Sequence, residues 1–178
     1  MAAASAAVVR SLIAVITTLS EQVKVLQGQV DAHFSQHPDA EIIKSQPGLG
    51  PVLGARVLAE FGDDPHRYAS AKARKNYAAT SPITRQSGKR KTVIARYVHN
   101  DRLRDALDGQ AFAALSASPG ARACYNAQRA RGTGHRAALR HLANRLTGIP
   151  HGCLKTRTLY DETTAWPQHT SRQIKAVA

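Results

Sequence analysis

Leu12, Ile16, Leu19, Val23, Leu26 and Val30 follow one another at steps of four, three, four, three and four residues, the spacing of a coiled-coil seam. Side chains alternate with period 2 along a strand, so this pattern admits only a helix. Residues 1–37 are therefore expected to form one long helix. It should end at His37-Pro38, because the residue before a proline is pushed out of the helical region. The seam serves either a second copy of the chain, giving a homo-oligomer, or packing of the helix on its own domain.

The stretch "MAAASAAVVRSLIAVITTL" reads as neither a targeting segment nor a span. Arg10 interrupts it, no uninterrupted apolar run reaches the roughly 20 residues a bilayer needs, and no basic region precedes it. The expected location is the cytoplasm, with no membrane partner. Cys124 and Cys153 are far apart and lack CxxC partners, which excludes a zinc ribbon and a disulfide framework.

Residues 38–156 are expected to form a helical domain, and the tail, 157–178, to be loosely ordered. The domain opens with "AEIIKSQPGLGPVLGARVLAEFGD", residues 40–63. Two short apolar segments flank Pro47-Gly48-Leu49-Gly50-Pro51, the pattern of a helix-hairpin-helix. Gly48 and Gly50 would let the backbone turn tightly and approach a ligand, and Pro51 suits the first turn of a helix. The free N–H groups there could meet a phosphate oxygen. A plain helical hairpin has the same residues at its turn.

"SAKARKNYAA" reads as a short helix with Lys72, Arg74 and Lys75 exposed. Residues 81–92, containing "SPITRQSGKRK", read as a basic loop, and strand signals are weak throughout. A helical pattern spans Thr92 to Ser116, with a possible break near His99-Asn100. In it Leu103, Leu107, Ala111 and Leu115 face inward, and Asn100 or Asp101 is the N-cap. Ser118-Pro119 starts the next helix. The last carries Leu139, Leu142, Ala143 and Leu146 inward, and Pro150 should break or kink it. The fold class is mainly α.

The chain has 25 Lys+Arg against 12 Asp+Glu, a formal charge of +13, so a polyanion is the expected partner. The cations concentrate at Arg85, Lys89, Arg90, Lys91, Arg96, Arg102 and Arg104, with Asp101 the one acid among them. A phosphate backbone would order such a loop. Ser87-Gly88 lies inside it: either a turn or phosphate-contact residue, or a nucleophile with guanidiniums placed for the charge on phosphorus oxygens but no evident base. His135 and His141 are six apart and His99 stands alone; the acid pairs Asp63-Asp64 and Asp161-Glu162 lack a metal constellation. No metal site is expected, and no GxxxxGK[ST] phosphate loop is present.

Taken in order, "QPGLGPVLGARVLAEFGD", "RYASAKARKNYAATSPITRQSGK", "NDRLRDAL", "SPGARACYNAQRARGTGHRAALRHLANRL" and "TRTLYDETTAW" resemble the C-terminal transposase domain of the IS110/IS116 insertion-sequence transposases, over roughly Glu41 to Trp166. The helix before it resembles that family's coiled-coil linker. The resemblance implies that the serine of "QSGK", Ser87, attacks DNA to give a phosphoserine link. It also implies that a bridge RNA guides recombination and that a RuvC-like domain with DEDD acids binds Mg2+. Asn100, Leu103 and Arg104 match the family stretch, while the basic pair that usually precedes them is replaced by "YVH". This chain carries no RuvC-like segment, so the expectation is DNA binding with little or no cleavage until such a partner domain joins it, and no cofactor of its own.

Overall fold

The structure, a computed structural model, describes residues 2–64 and 66–167 and is mainly helical. Helix α1 (Ala2–Phe34) stands out into solvent for most of its length. It stops just short of His37-Pro38, as the proline requires. Its last turns lie along α3 (Pro51–Phe61), where Phe34 is buried with its ring against Gly54. A Cβ on Gly54 would stand 3.0 Å from that ring, so the missing side chain sets how closely the two helices approach. Asp31 of α1 also pairs with Lys44 at the end of α2 (Ala40–Lys44). The seam residues Leu12, Ile16, Leu19, Val23 and Leu26 remain exposed, so nothing among the described residues covers them. By length and composition alone Ala4–Phe34 is apolar enough to cross a membrane, a test that counts mean hydropathy where the sequence reading counted uninterrupted apolar runs. Its few charged residues are spaced widely enough for the helix to be apolar on average.

The turn between α2 and α3 presses into the domain. Gly48 has φ +78°, and a Cβ there would fall 2.5 Å from the carbonyl oxygen of Gln110 and 2.8 Å from the amide nitrogen of Ala114. Both atoms belong to α5 (Asp101–Ala117), the spine of the fold. Its Leu103 and Leu107 join Ile43, Leu49, Val57 and Phe61 in one core cluster. Its Ala111, Ala114 and Leu115 join Leu142 and Leu146 in a second. The four-residue spacing thus buries one face of α5 from end to end, and Asn100 caps it by accepting from the Arg102 and Leu103 amides. Of the helical pattern read from Thr92, the part after the break at His99-Asn100 is helix, with the expected Asn100 cap, whereas residues up to Ile94 are strand.

Ser118 caps α6 (Pro119–Ala130), with Pro119 at the first helical position. Helix α7 (His135–Thr156) packs on α5, α6 and α4 (Ala71–Tyr77). Pro150 does not end it. The proline is itself buried, and side-chain packing on both sides outweighs the backbone hydrogen bond it removes. Arg74 of α4 corrects the reading of an exposed basic helix: it is 7% exposed, with its guanidinium 4.9 Å from the ring centres of Phe61 and Tyr68. Lys72 is exposed as expected, and Lys75 is half-buried over Gly148.

The tail is docked as far as residue 167; residues 168–178 lie outside the described part. Asp161 caps the short α8 (Glu162–Ala165), and hydrogen bonds from Thr163 and Thr164 draw its pKa down to about 2. Glu162 accepts from Ser118 Oγ (2.9 Å), the Gly120 amide (2.7 Å) and the Tyr160 hydroxyl (2.5 Å). Trp166 is buried, its Nε1 donating to Tyr160 (2.9 Å) and its ring covered by Arg145 at 4.6 Å.

Burial, and then the bond to Glu162, raises the pKa of Tyr160 from 10.0 to about 12. A group whose proton is held more tightly folded than unfolded contributes fully below its unfolded value and loses that contribution as pH rises through the folded one. Docking of the tail should therefore weaken between pH 10 and about 12. Trp166 is the single tryptophan, so its emission should shift to the red across that window, and Tyr160→Phe should remove the step. An unchanged step in the variant would assign it to another group.

Candidate nucleic-acid interface

The stretch read as a loop is a β-hairpin. Strand β1 (Ile83–Ser87) pairs antiparallel with β2 (Arg90–Ile94), in the register Ile83 to Ile94, Arg85 to Thr92 and Ser87 to Arg90. Gly88 and Lys89 make the two-residue connection. Gly88 has φ +55° while Lys89 is not in the positive-φ region, as a type II′ turn with glycine first requires. β-branched residues at the open end, Ile83 and Thr84 against Val93 and Ile94, supply the strand propensity. Only Ile83 and Ile94 at the base are half-buried; the ribbon otherwise projects into solvent.

Directly opposed residues of an antiparallel pair share a face. One face therefore carries Arg85, Ser87, Arg90 and Thr92, and the other Thr84, Gln86, Lys91 and Val93, with Lys89 at the tip. No side chain of Arg85, Lys89, Arg90 or Lys91 makes an ion pair or hydrogen bond with another described residue, and neither does the Ser87 hydroxyl; only their backbones take part in the ladder. Like charges crowd one ribbon, each cation left to solvent. A two-stranded ribbon fits a duplex groove, and four uncompensated cations suit a phosphate backbone.

The remaining cations of the predicted patch are engaged. Arg96 donates from Nε to the Ser81 carbonyl (3.1 Å) and from a terminal nitrogen to Asn76 Oδ1 (3.0 Å), so it fastens the hairpin base to α4. Arg104 pairs with Asp101 at 3.3 Å and also contacts His99. Arg102 is exposed on the first turn of α5. Of the two hairpin-motif glycines, Gly48 backs onto α5 and faces no ligand, whereas Gly50 is the exposed N-cap of α3 with open space around its Cα. Only Gly50 offers amides at a helix start to solvent. Among the described residues no group of three or more His, Cys, Asp or Glu could hold a metal ion.

The family model described as the transposase IS116/IS110/IS902 family matches residues 40–126. That span runs from α2 through the hairpin into α6. The chain is 53% identical over 137 residues to the mini-circle protein of IS117 from Streptomyces coelicolor, whose name assigns it to transposition; the match covers 77% of this chain and 33% of that protein. It is 34% identical over 158 residues to the 43.6 kDa protein of insertion element IS110 from the same organism, covering 86% and 38%. It is 32% identical over 146 residues to the 44.8 kDa protein of insertion element IS116 from Streptomyces clavuligerus, covering 82% and 36%. The chain thus spans little more than a third of the length of these relatives.

Proposed function

The chain belongs to the IS116/IS110/IS902 transposase family through residues 40–126, and on that premise we propose that its hairpin grips DNA and that Ser87 is the nucleophile of DNA transposition. One observation carries the proposal: Ser87 sits at the end of β1, its hydroxyl unpartnered among the described residues, on the same ribbon face as Arg85 and Arg90. In the reaction, Ser87 Oγ bonds to phosphorus and gives up its proton. The sugar oxygen leaves that phosphorus and takes a proton, so the protein holds the DNA as a phosphoserine ester. Arg85 and Arg90 offset the charge that collects on the non-bridging oxygens. Gly50 and the start of α3, in the manner of a helix-hairpin-helix, add a backbone contact to phosphate without reading sequence.

The base that takes the Ser87 proton is assigned to a RuvC-like metal-binding domain of the family type, with a bridge RNA directing the pairing of DNA ends in the cytoplasm. Two copies joined by the α1 seam would bring two serines to a pair of ends. The residues described here do not form a metal site, and no step of the proposal passes through a metal. That no described residue is a base hydrogen-bonded to Ser87 Oγ supports a second reading, a binding module that holds DNA without chemistry.

Labelled element-end DNA mixed with the chain, bridge RNA and a RuvC-like partner should yield an adduct that survives denaturation. Ser87→Ala should abolish it while changing DNA affinity by less than about twofold, since a hydroxyl adds no phosphate charge contact. Replacing Arg85, Lys89, Arg90 and Lys91 by alanine should flatten the dependence of log affinity on log salt by about 3 to 4, at roughly 0.9 per phosphate contact. No adduct in any mixture leaves only the binding module, and an unchanged salt slope removes the hairpin from the interface.

A further inference from the structure

A second charged feature lies away from the hairpin. Arg74 is more than nine-tenths buried, its Nε has no hydrogen-bond partner, and its guanidinium pairs with no described carboxylate. Phe61 and Tyr68 satisfy the faces of the guanidinium plane, each ring centre 4.9 Å from Cζ, but an aromatic ring accepts nothing along the edge where the five N–H groups lie. Burying such a cation with its Nε–H unfilled and no carboxylate against it is unfavourable unless a counter-charge arrives.

Arg74 lines a cavity of about 740 Å³ between the start of α2, the end of α3, α4 and the end of α7. His151 and Lys155 of α7 and Arg157 stand on the same wall system. Of the acids around it, Asp39 is already taken by Arg157, and Asp63 and Asp64 are exposed at the side formed by the end of α3. We infer that this cavity is a binding site for a small phosphate monoester of nucleotide size, with Arg74 as the central fork and His151 and Lys155 as further donors. A phosphate offers in-plane acceptor pairs that a guanidinium edge matches, and the two uncommitted cations Arg74 and Lys155 suit a dianion better than a lone carboxylate. The volume suits a nucleotide-sized ligand. Asp63 and Asp64 disfavour entry of a long polyanion, which separates this site from the hairpin.

Calorimetric titration of the full chain with adenosine monophosphate, and separately with inorganic phosphate at constant ionic strength, tests the site. Saturable one-to-one binding of either is expected; tighter binding of the nucleotide identifies it as the ligand class, and equal binding identifies phosphate alone. Arg74→Lys, which keeps the charge and loses the fork, should weaken binding at least about tenfold. Because Arg74 also packs the core, the exposed Lys155→Ala serves as a second variant and should weaken binding about threefold to fivefold. The hairpin variant lacking Arg85, Lys89, Arg90 and Lys91 should bind as the wild type does. Absence of saturable binding overturns the inference, as does binding indifferent to both Arg74→Lys and Lys155→Ala or lost in the hairpin variant.

Discussion

Trp166→Ala should lower the unfolding free energy by about 3–5 kcal/mol, the range for emptying a buried aromatic site. The indole fills the space beside Gly120, where a Cβ would come within 2.2 Å of its Cγ, and it closes the cluster of Leu115, Leu142 and Leu146. Its loss also removes the indole N–H that donates to the Tyr160 hydroxyl and uncovers Arg145. Urea denaturation followed by far-ultraviolet circular dichroism gives the midpoint directly. A shift worth less than about 1 kcal/mol would place residues 157–167 outside the cooperative unit. Gly120→Ala provides an independent check, since the added methyl cannot coexist with the docked indole.

Gly48→Ala is expected to cost about 2–4 kcal/mol. Part of this is the penalty for a Cβ at positive φ. The larger part is collision with Gln110 O at 2.5 Å and Ala114 N at 2.8 Å, backbone atoms of a helix that cannot turn aside like a flexible side chain. Gly50→Ala, with nothing within 4 Å, should cost no more than a few tenths of a kcal/mol beyond the change of cap. Equal denaturation midpoints for the two variants would show that the turn does not bear on α5.

The contrast between these glycines shows what local pattern conveys. "PGLG" announces a turn, and a turn is present, but which glycine meets a ligand and which meets the protein depends on α5, more than fifty residues further along the chain. Asn100 and Ser118-Pro119 were readable as helix starts because a cap acts within its own first turn. The burial of Leu103, Leu107 and Ala111 was readable because a helix repeats its face.

The hairpin was not readable by periodicity. Both of its faces are solvated, so the alternation that marks a half-buried strand is absent, and only the β-branched ends with Gly88 between them carried a signal. Arg74 was misjudged for a related reason. A cation is assigned to the surface unless aromatic rings from elsewhere enclose it, and Phe61 and Tyr68 lie outside its helix. Trp166 likewise packs against Gly120 of α6 and Arg145 of α7, which no local window contains.

The position of α1 has a mechanical consequence. Its 33 residues make a rod about 50 Å long at 1.5 Å per residue, clamped to the domain only at one end, where Phe34 rests on Gly54 and Asp31 meets Lys44. A tilt of about 10° at that clamp displaces the far end by roughly 9 Å, close to three base-pair steps of duplex. Slight repacking around Gly54 would thus be magnified into a displacement of several ångströms at the far end, with the helix acting as a lever arm and the Phe34 ring as its fulcrum.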